Sequence, residues 1–485
     1  MTVRDLSKQE AIQAVAAYIV ATCERRLELQ GYKWDEIRAL TLGETPPSTA
    51  RPNGPLQPSE RGWERFLPGG NPVEGWAIAR NSEGSLAEIL SLSCMPLRFE
   101  PSNASLFHRG IASAGATYPI DVRLDISGLV GDSFWLQLDP YQSCLLQTGQ
   151  SVGTDAASGE VRIVLSGDLR KCLHPYGDMS ANLAAFEAGM IAHQILSFAQ
   201  AFGWHAEAYL VGDAHKARRE LGIGTPDLWP LLQLHISTGA DEPGKGLNRG
   251  MFQPSGMPSS DLSGANFPFL ERYRHACECR ASRMENLKLA ATRLGLGRYH
   301  SRDELRNLCL RRTSGALSGN GRPDEVWSND EISGIIDHLS TSMAAGPCEQ
   351  MARLSSVHLS FRVSETTIRS IQWEPSTGEF LERPTMPGEM AALEGMQASF
   401  IATFAIDDTE MLCEVGPRGH LASTILVGLL VQMVSLAATS LGRDARAIGA
   451  YDGTAANCLF SFDRRALLQV KASRSVRPNP SFVIG

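Results

Sequence analysis

The chain has 485 residues, 43% hydrophobic and 20% charged, which is the composition of an ordinary globular protein with room for about two to four domains. Collagen-like, mucin-like and disordered classes are excluded. With 45 basic against 53 acidic residues the net charge is −8, so no nucleic-acid partner is expected, because such a site needs a basic footprint to displace counterions.

From the N-terminus, residues 1–30 read as a helix, with Ile12, Val15, Ala16, Ile19 and Val20 at helical spacing. The same stretch carries acidic residues and lacks a signal-peptide layout, so a cytoplasmic protein is expected. Residues 44–75 are rich in Pro, Gly and Ser and mark an exposed connector. Next come a strand at 120–126 and a hairpin over 134–147 that turns at Asp139-Pro140. A long helix of small residues follows within 185–213. The soft stretch 237–268 reads as an interdomain linker.

Beyond it the pattern repeats. A strand at 357–363 precedes a hairpin over 370–384 turning at Glu374-Pro375, then a small-residue helix within 425–452. Gly189 and Gly203 are 14 residues apart, and so are Gly428 and Gly442. The repeated order points to an ancient duplication. Ala, Gly and Ser on nearly every face make both helices too apolar for water, so each must be buried on more than one side. The longest apolar run, near 425–438, is broken by Gln432 and Ser435 and falls short of the roughly 20 residues of a membrane span, so no membrane association is expected. The ten cysteines form no Cys-x-x-Cys pair, only Cys277-Glu278-Cys279, and no metal site is expected.

The most specific string is Arg109-Gly110-Ile111-Ala112-Ser113-Ala114-Gly115-Ala116-Thr117-Tyr118-Pro119. A hydroxyl, backbone N–H groups and no bulky side chains let such a loop lie against a planar ring; the string also suits a plain turn before a strand. Arg311-Arg312-Thr313-Ser314 offers two guanidiniums and two hydroxyls to a phosphate, or a solvated basic turn. No Gly-x-Gly-x-x-Gly, Walker loop, His-Glu-x-x-His or Gly-x-Ser-x-Gly string is found.

The order RGIASAGATYPIDVRL, FWLQLDPYQSCLL, FEAGMIAHQILSFAQAFGW resembles the SagB-type dehydrogenases of the nitroreductase superfamily, over about residues 85–213 and more weakly over 303–480. Ser113, Ala114, Gly115, Ala116, Pro119, Glu187, Ala188 and Gly189 match; Ala112 replaces a Pro, and His193-Gln194 stand where Gln-Asn is usual. The resemblance implies an α+β fold: tandem nitroreductase-like domains, each a mostly antiparallel sheet packed with helices, forming a pseudo-dimer within one chain. The boundaries expected are 1–75 for an N-terminal helical extension and linker, 76–236 for the first domain, 237–268 for the linker and 269–485 for a second, degenerate copy.

It also implies FMN, bound non-covalently, and oxidation of thiazoline or oxazoline rings to azoles in a ribosomally made peptide, with cyclodehydratase partner proteins. The two halves have lost complementary motifs. One FMN per chain is therefore expected between them, held by Arg109, Ser113, Ala114, Gly115 and Ala116 of the first half and Arg311, Arg312, Thr313, Ser314 and Arg474 of the second. The family's catalytic Lys-Tyr pair is Pro175-Tyr176 here, so the proton is assigned to Tyr176 assisted by Lys171, with His174 as the alternative. Two further readings stay open: a flavin oxidase of a small-molecule or carrier-bound intermediate, and a flavin-sequestering scaffold in a biosynthetic complex. A further homodimer is compatible with either.

Overall fold

The computed structural model describes residues 6–19, 22, 73–99, 107–131, 134–151, 158–225, 227–238, 244–252, 268–279, 282, 287–291, 301–312, 325–344, 355–374, 377–386, 388–396, 398–448, 464–474 and 482–483. The described residues are α+β, with two large antiparallel sheets, a small third one and helices. In chain order the first strands are β1 (Val73–Ile78), β2 (Arg98–Phe99), β3 (Phe107–His108), β4 (Ile120–Asp125), β5 (Phe134–Asp139), β6 (Cys144–Ser151) and β7 (Glu160–Asp168). Then come β8 (His205–Leu210), β9 (Leu228–Ser237), β10 (Leu247–Phe252) and β11 (Leu287–Ala291). The later strands are β12 (Ser355–Arg362), β13 (Ile368–Glu374), β14 (Glu379–Arg383), β15 (Phe400–Asp407), β16 (Arg443–Ile448), β17 (Arg464–Arg474) and β18 (Phe482–Val483).

One sheet has nine strands in the order β10-β1-β6-β5-β4-β7-β9-β8-β11, a second has six in the order β14-β13-β12-β15-β17-β16, and a small third has three in the order β18-β2-β3. Lined up, the run 6-5-4-7-9-8 and the run 14-13-12-15-17-16 are the same topology. Both expected hairpins form, with Asp139 facing Cys144 and Glu374 facing Glu379 across their turns. β1, β10 and β11 are additions to the first sheet. β10 lies inside 237–268 and pairs along its length with β1, so this expected linker contributes an edge strand. Its Pro- and Gly-rich flanks mask a short run, LNRGMF, that is extended only because β1 offers it a ladder.

Between the sheets run two 22-residue helices, Ser180–Ala201 and Gly419–Ser440, here the first and second central helices. The second is longer than the apolar run in the sequence and is long and apolar enough to cross a membrane, yet its most apolar stretch is wholly buried inside the protein. Its hydroxyls explain how polar residues sit there. Ser423, Thr424, Ser435 and Thr439 each donate to the carbonyl four residues earlier, at 2.7–3.0 Å, and so need no outside partner.

The helices touch at Gly189 and Gly428. A Cβ on Gly189 would collide with the Ile425 carbonyl, and one on Gly428 with the Phe186 carbonyl. Each glycine faces the residue three positions before the other, which is the self-complementary contact of a two-fold interface. The crossing leaves no room for a methyl on either backbone. We expect Gly428→Ala to destabilise the protein by about 1–3 kcal/mol or more through overpacking, read as a lower denaturation midpoint. A midpoint equal to wild type would show that the helices are not in backbone contact.

Candidate functional site

The 109–119 segment leads into β4 and sits over both central helices. Gly110 anchors it: its carbonyl accepts from Gln194 Nε2 of the first central helix at 3.1 Å and from Gln432 Nε2 of the second at 3.0 Å. Gln194 Nε2 also contacts Cys309 Sγ at 3.1 Å, which brings in the Arg302–Arg311 helix. The two central helices therefore meet on one peptide group, and the third helix joins them through Gln194.

Beyond this anchor the loop turns sharply. Gly115 has φ 55°, and Ala116 and Tyr118 take left-handed φ of 52° and 45° without being glycine. Such residues each cost about 1–3 kcal/mol and cluster at functional sites. The turn is tied by Tyr118 N donating to Ser113 Oγ at 2.9 Å and Thr117 N donating to the Ala114 carbonyl at 3.1 Å. Gly115 is exposed, and Ser113, Ala114 and Ala116 are half-buried, so one face of the loop is open to approach. On the other side the Tyr176 hydroxyl lies where a Gly115 side chain would begin.

Buried beside this loop are charges. Arg109, 3% exposed, stacks its guanidinium over the Tyr118 ring at 4.4 Å, and its Nε has no partner. Arg312, 2% exposed, reaches in from beyond the expected linker: its Nη2 donates to the Ile111 carbonyl at 3.0 Å, while Nε and Nη1 have no partner. Burial, helped by Arg98, pulls the Arg312 guanidinium down to about 10. Glu187, 2% exposed, lies near the Ser113 hydroxyl and the Ile120 amide, which both favour its charged form, and its Oε1 is unpartnered. Burial pushes its carboxyl up to about 7 against the opposing pull of Arg109.

The expected residues divide clearly. Arg109, Ser113, Ala114, Gly115, Ala116, Tyr176, Lys171 and Arg312 gather at one place. Arg311, one residue before Arg312, is exposed. A guanidinium turned to solvent does not share the buried position of its neighbour, so of the expected Arg-Arg pair only Arg312 lies at the loop. Thr313 and Ser314 lie outside the described residues, as do the side chains of His174 and Arg474.

The expected help from Lys171 to Tyr176 takes another form. Lys171 Nζ donates to the Tyr118 carbonyl at 3.3 Å, and its charge acts on Glu187 and Cys172. The Tyr176 phenol is pushed up by burial and then by Cys172, so it is a neutral hydrogen-bond donor and a poor base. Sequence reasoning missed Glu187, Gln194 and Gln432 as site residues. The Glu-Ala-Gly and His-Gln matches held the first two. Gln432 was visible only as a polar break in an apolar helix.

The arrangement suits a flavin mononucleotide. Unpartnered N–H groups on two buried guanidiniums call for an anion such as a phosphate, and an open loop of small residues beside them can accept a flat ring.

No family model matches the chain, and no curated protein matches it. Solved structures do. A protein assigned as a nitroreductase in Anabaena variabilis aligns with a TM-score of 0.59 at 14% identity, covering 80% of this chain and 88% of that one. Shorter overlaps are found with the E. coli microcin synthetase McbBCD complex bound to truncated pro-MccB17 and with a nitroreductase-like protein of Streptococcus mutans. The first has a TM-score of 0.26 at 17% identity over 44% of this chain and 97% of that one; the second has 0.24 at 15% over 38% and 94%. The chain has a nitroreductase-like fold.

Glu187 gives a pH test of the buried charges. Its carboxyl moves from an ordinary 4.5 to about 7, so between those values the folded state binds more protons than the unfolded one. Stability then falls as pH rises through that window. Glu187→Gln removes the effect. Its melting temperature should gain on wild type from pH 4.5 to 7 and run parallel above. A constant offset at every pH would contradict the assignment.

Proposed function

We propose that the chain is an FMN-dependent oxidoreductase with one flavin per chain, held between the two halves. Arg312 carries this reading: a residue from beyond the expected linker lies buried beside the first half's Ser113–Ala116 loop with two N–H groups to give. Arg109 and Arg312 would hold the phosphate, and Ser113, Ala114, Gly115 and Ala116 would border the ring. When bound, FMN supplies a two-electron acceptor.

The finer reading is a dehydrogenase that turns thiazoline or oxazoline rings in a modified precursor peptide into azoles, alongside cyclodehydratase partners. Such a substrate gives up a ring proton as its hydride leaves. A useful base lies within hydrogen-bond reach and has a pKa near the working pH. Glu187 meets the second condition. The Ser113 hydroxyl supplies the first, since it stands on the half-open loop and acts on the Glu187 carboxyl beside it. Ser113 takes the substrate proton as its own passes to Glu187. The Lys171 charge steadies the carboxylate before transfer. Tyr176, a neutral phenol against Gly115 on the far side of the loop, supports the loop from behind.

Two measurements test this. The purified chain should be yellow, and Arg312→Met should weaken FMN binding by roughly 10- to 150-fold, the worth of about 1.5–3 kcal/mol for a charge-assisted bond. Retention of flavin at wild-type affinity would overturn the site. With flavin confirmed in each variant, Glu187→Gln should abolish azoline-peptide oxidation while Tyr176→Phe only slows it. The reverse order would return the proton to Tyr176.

A further inference from the structure

We infer that the N-terminal end of the second central helix is a second binding site, for a small oxyanion held by Arg418. This residue precedes Gly419 as the helix N-cap and is 1% exposed. Its Nε, Nη1 and Nη2 are all without a partner. Its own side chain makes no cap hydrogen bond to the first turn of this 22-residue helix. The N-terminal end of a helix is already electropositive, and its backbone N–H groups favour anions. A guanidinium there adds positive charge to positive potential, the opposite of what helix ends select, unless an anion completes the group.

The neighbours do not supply one. Glu278 is bound by Arg218 through two 2.7 Å bonds, and Asp213 caps its own helix by accepting from Lys216 N at 2.9 Å. Cys277 donates to the Pro417 carbonyl at 3.5 Å, and burial pushes its thiol up to about 12, so it is no thiolate. The Tyr273 phenol is raised by burial and stays neutral. A further unpartnered donor borders the cluster: Trp229 Nε1 is buried, and its ring packs edge-on to Tyr273 at 5.8 Å. Glu278 and Asp213 act on its charge from nearby, but a buried guanidinium that no group hydrogen-bonds is unfavourable. An anion with two oxygens, phosphate or a carboxylate, fits the guanidinium fork.

This place is separate from the loop site. Arg418 precedes Gln432 by 14 residues, roughly 20 Å along a helix rising about 1.5 Å per residue. The groups acting on Arg418 are Cys277, Tyr273, Glu278 and Asp213, and none of them acts on Arg312.

The test uses the full chain as purified, dialysed free of oxyanions, and follows melting temperature against inorganic phosphate and, separately, formate. It is run in wild type and in Arg312→Met, so that the loop site cannot answer for this one. The rise should saturate in both proteins and vanish when Arg418→Met is added. Whichever of phosphate and formate acts at the lower concentration identifies the class preferred. Without added anion, Arg418→Met should melt at or above wild type, because an apolar side chain replaces an unpaired charge. A rise that persists when Arg418→Met is combined with Arg312→Met, or no rise in wild type, overturns the site. If Arg418→Met does not fold, Arg418→Lys decides. It keeps the charge but loses the fork, and should need at least tenfold more anion; an equal requirement overturns the proposal.

Discussion

Everything at the loop site depends on two helices that touch through bare backbone. Gly189 and Gly428 remove the side chains that would hold the helices apart, and each lies against the other helix three residues before its glycine. Only at that spacing do Gln194 and Gln432 both reach one carbonyl, that of Gly110. The loop that follows is thereby fixed to both halves of the chain at once. Its left-handed Ala116 and Tyr118 are held by this anchoring, since nothing in their own chemistry favours that conformation.

The charges beside the loop follow the same logic. Arg109 comes from the first half and Arg312 from beyond the expected linker, and both are buried with N–H groups unspent. Burying such groups is unfavourable by itself. Glu187 offsets part of it, but burial pushes its carboxyl up to about 7 and it closes no ion pair among the described residues. The result is a site poised for an anion and a proton, assembled by the same crossing that joins the two sheets.

Much of this was legible in the sequence because it is periodic or local. The two acidic-Pro hairpins, the alternating strands before them and the matched glycines at 189 and 428 all show in spacing alone, and the shared strand order bears out the reading of a repeated fold. The Ser-Ala-Gly-Ala loop announced itself by composition. What stayed hidden is tertiary. β10 is a strand only because β1 offers an edge, so LNRGMF reads as linker. The partners of Lys171 and Tyr176 depend on which way two neighbouring side chains turn, and the sequence places them five residues apart without saying that Lys171 faces the Tyr118 carbonyl. Gln432 is a defect in an apolar helix until Gly110 is placed above it.

The central claim is that one site needs both halves. Hydrogen–deuterium exchange of the full chain with and without FMN tests it most directly. The account predicts that flavin slows exchange together in 109–120 and in 302–312, segments separated by nearly two hundred residues. Protection confined to one of them would contradict it.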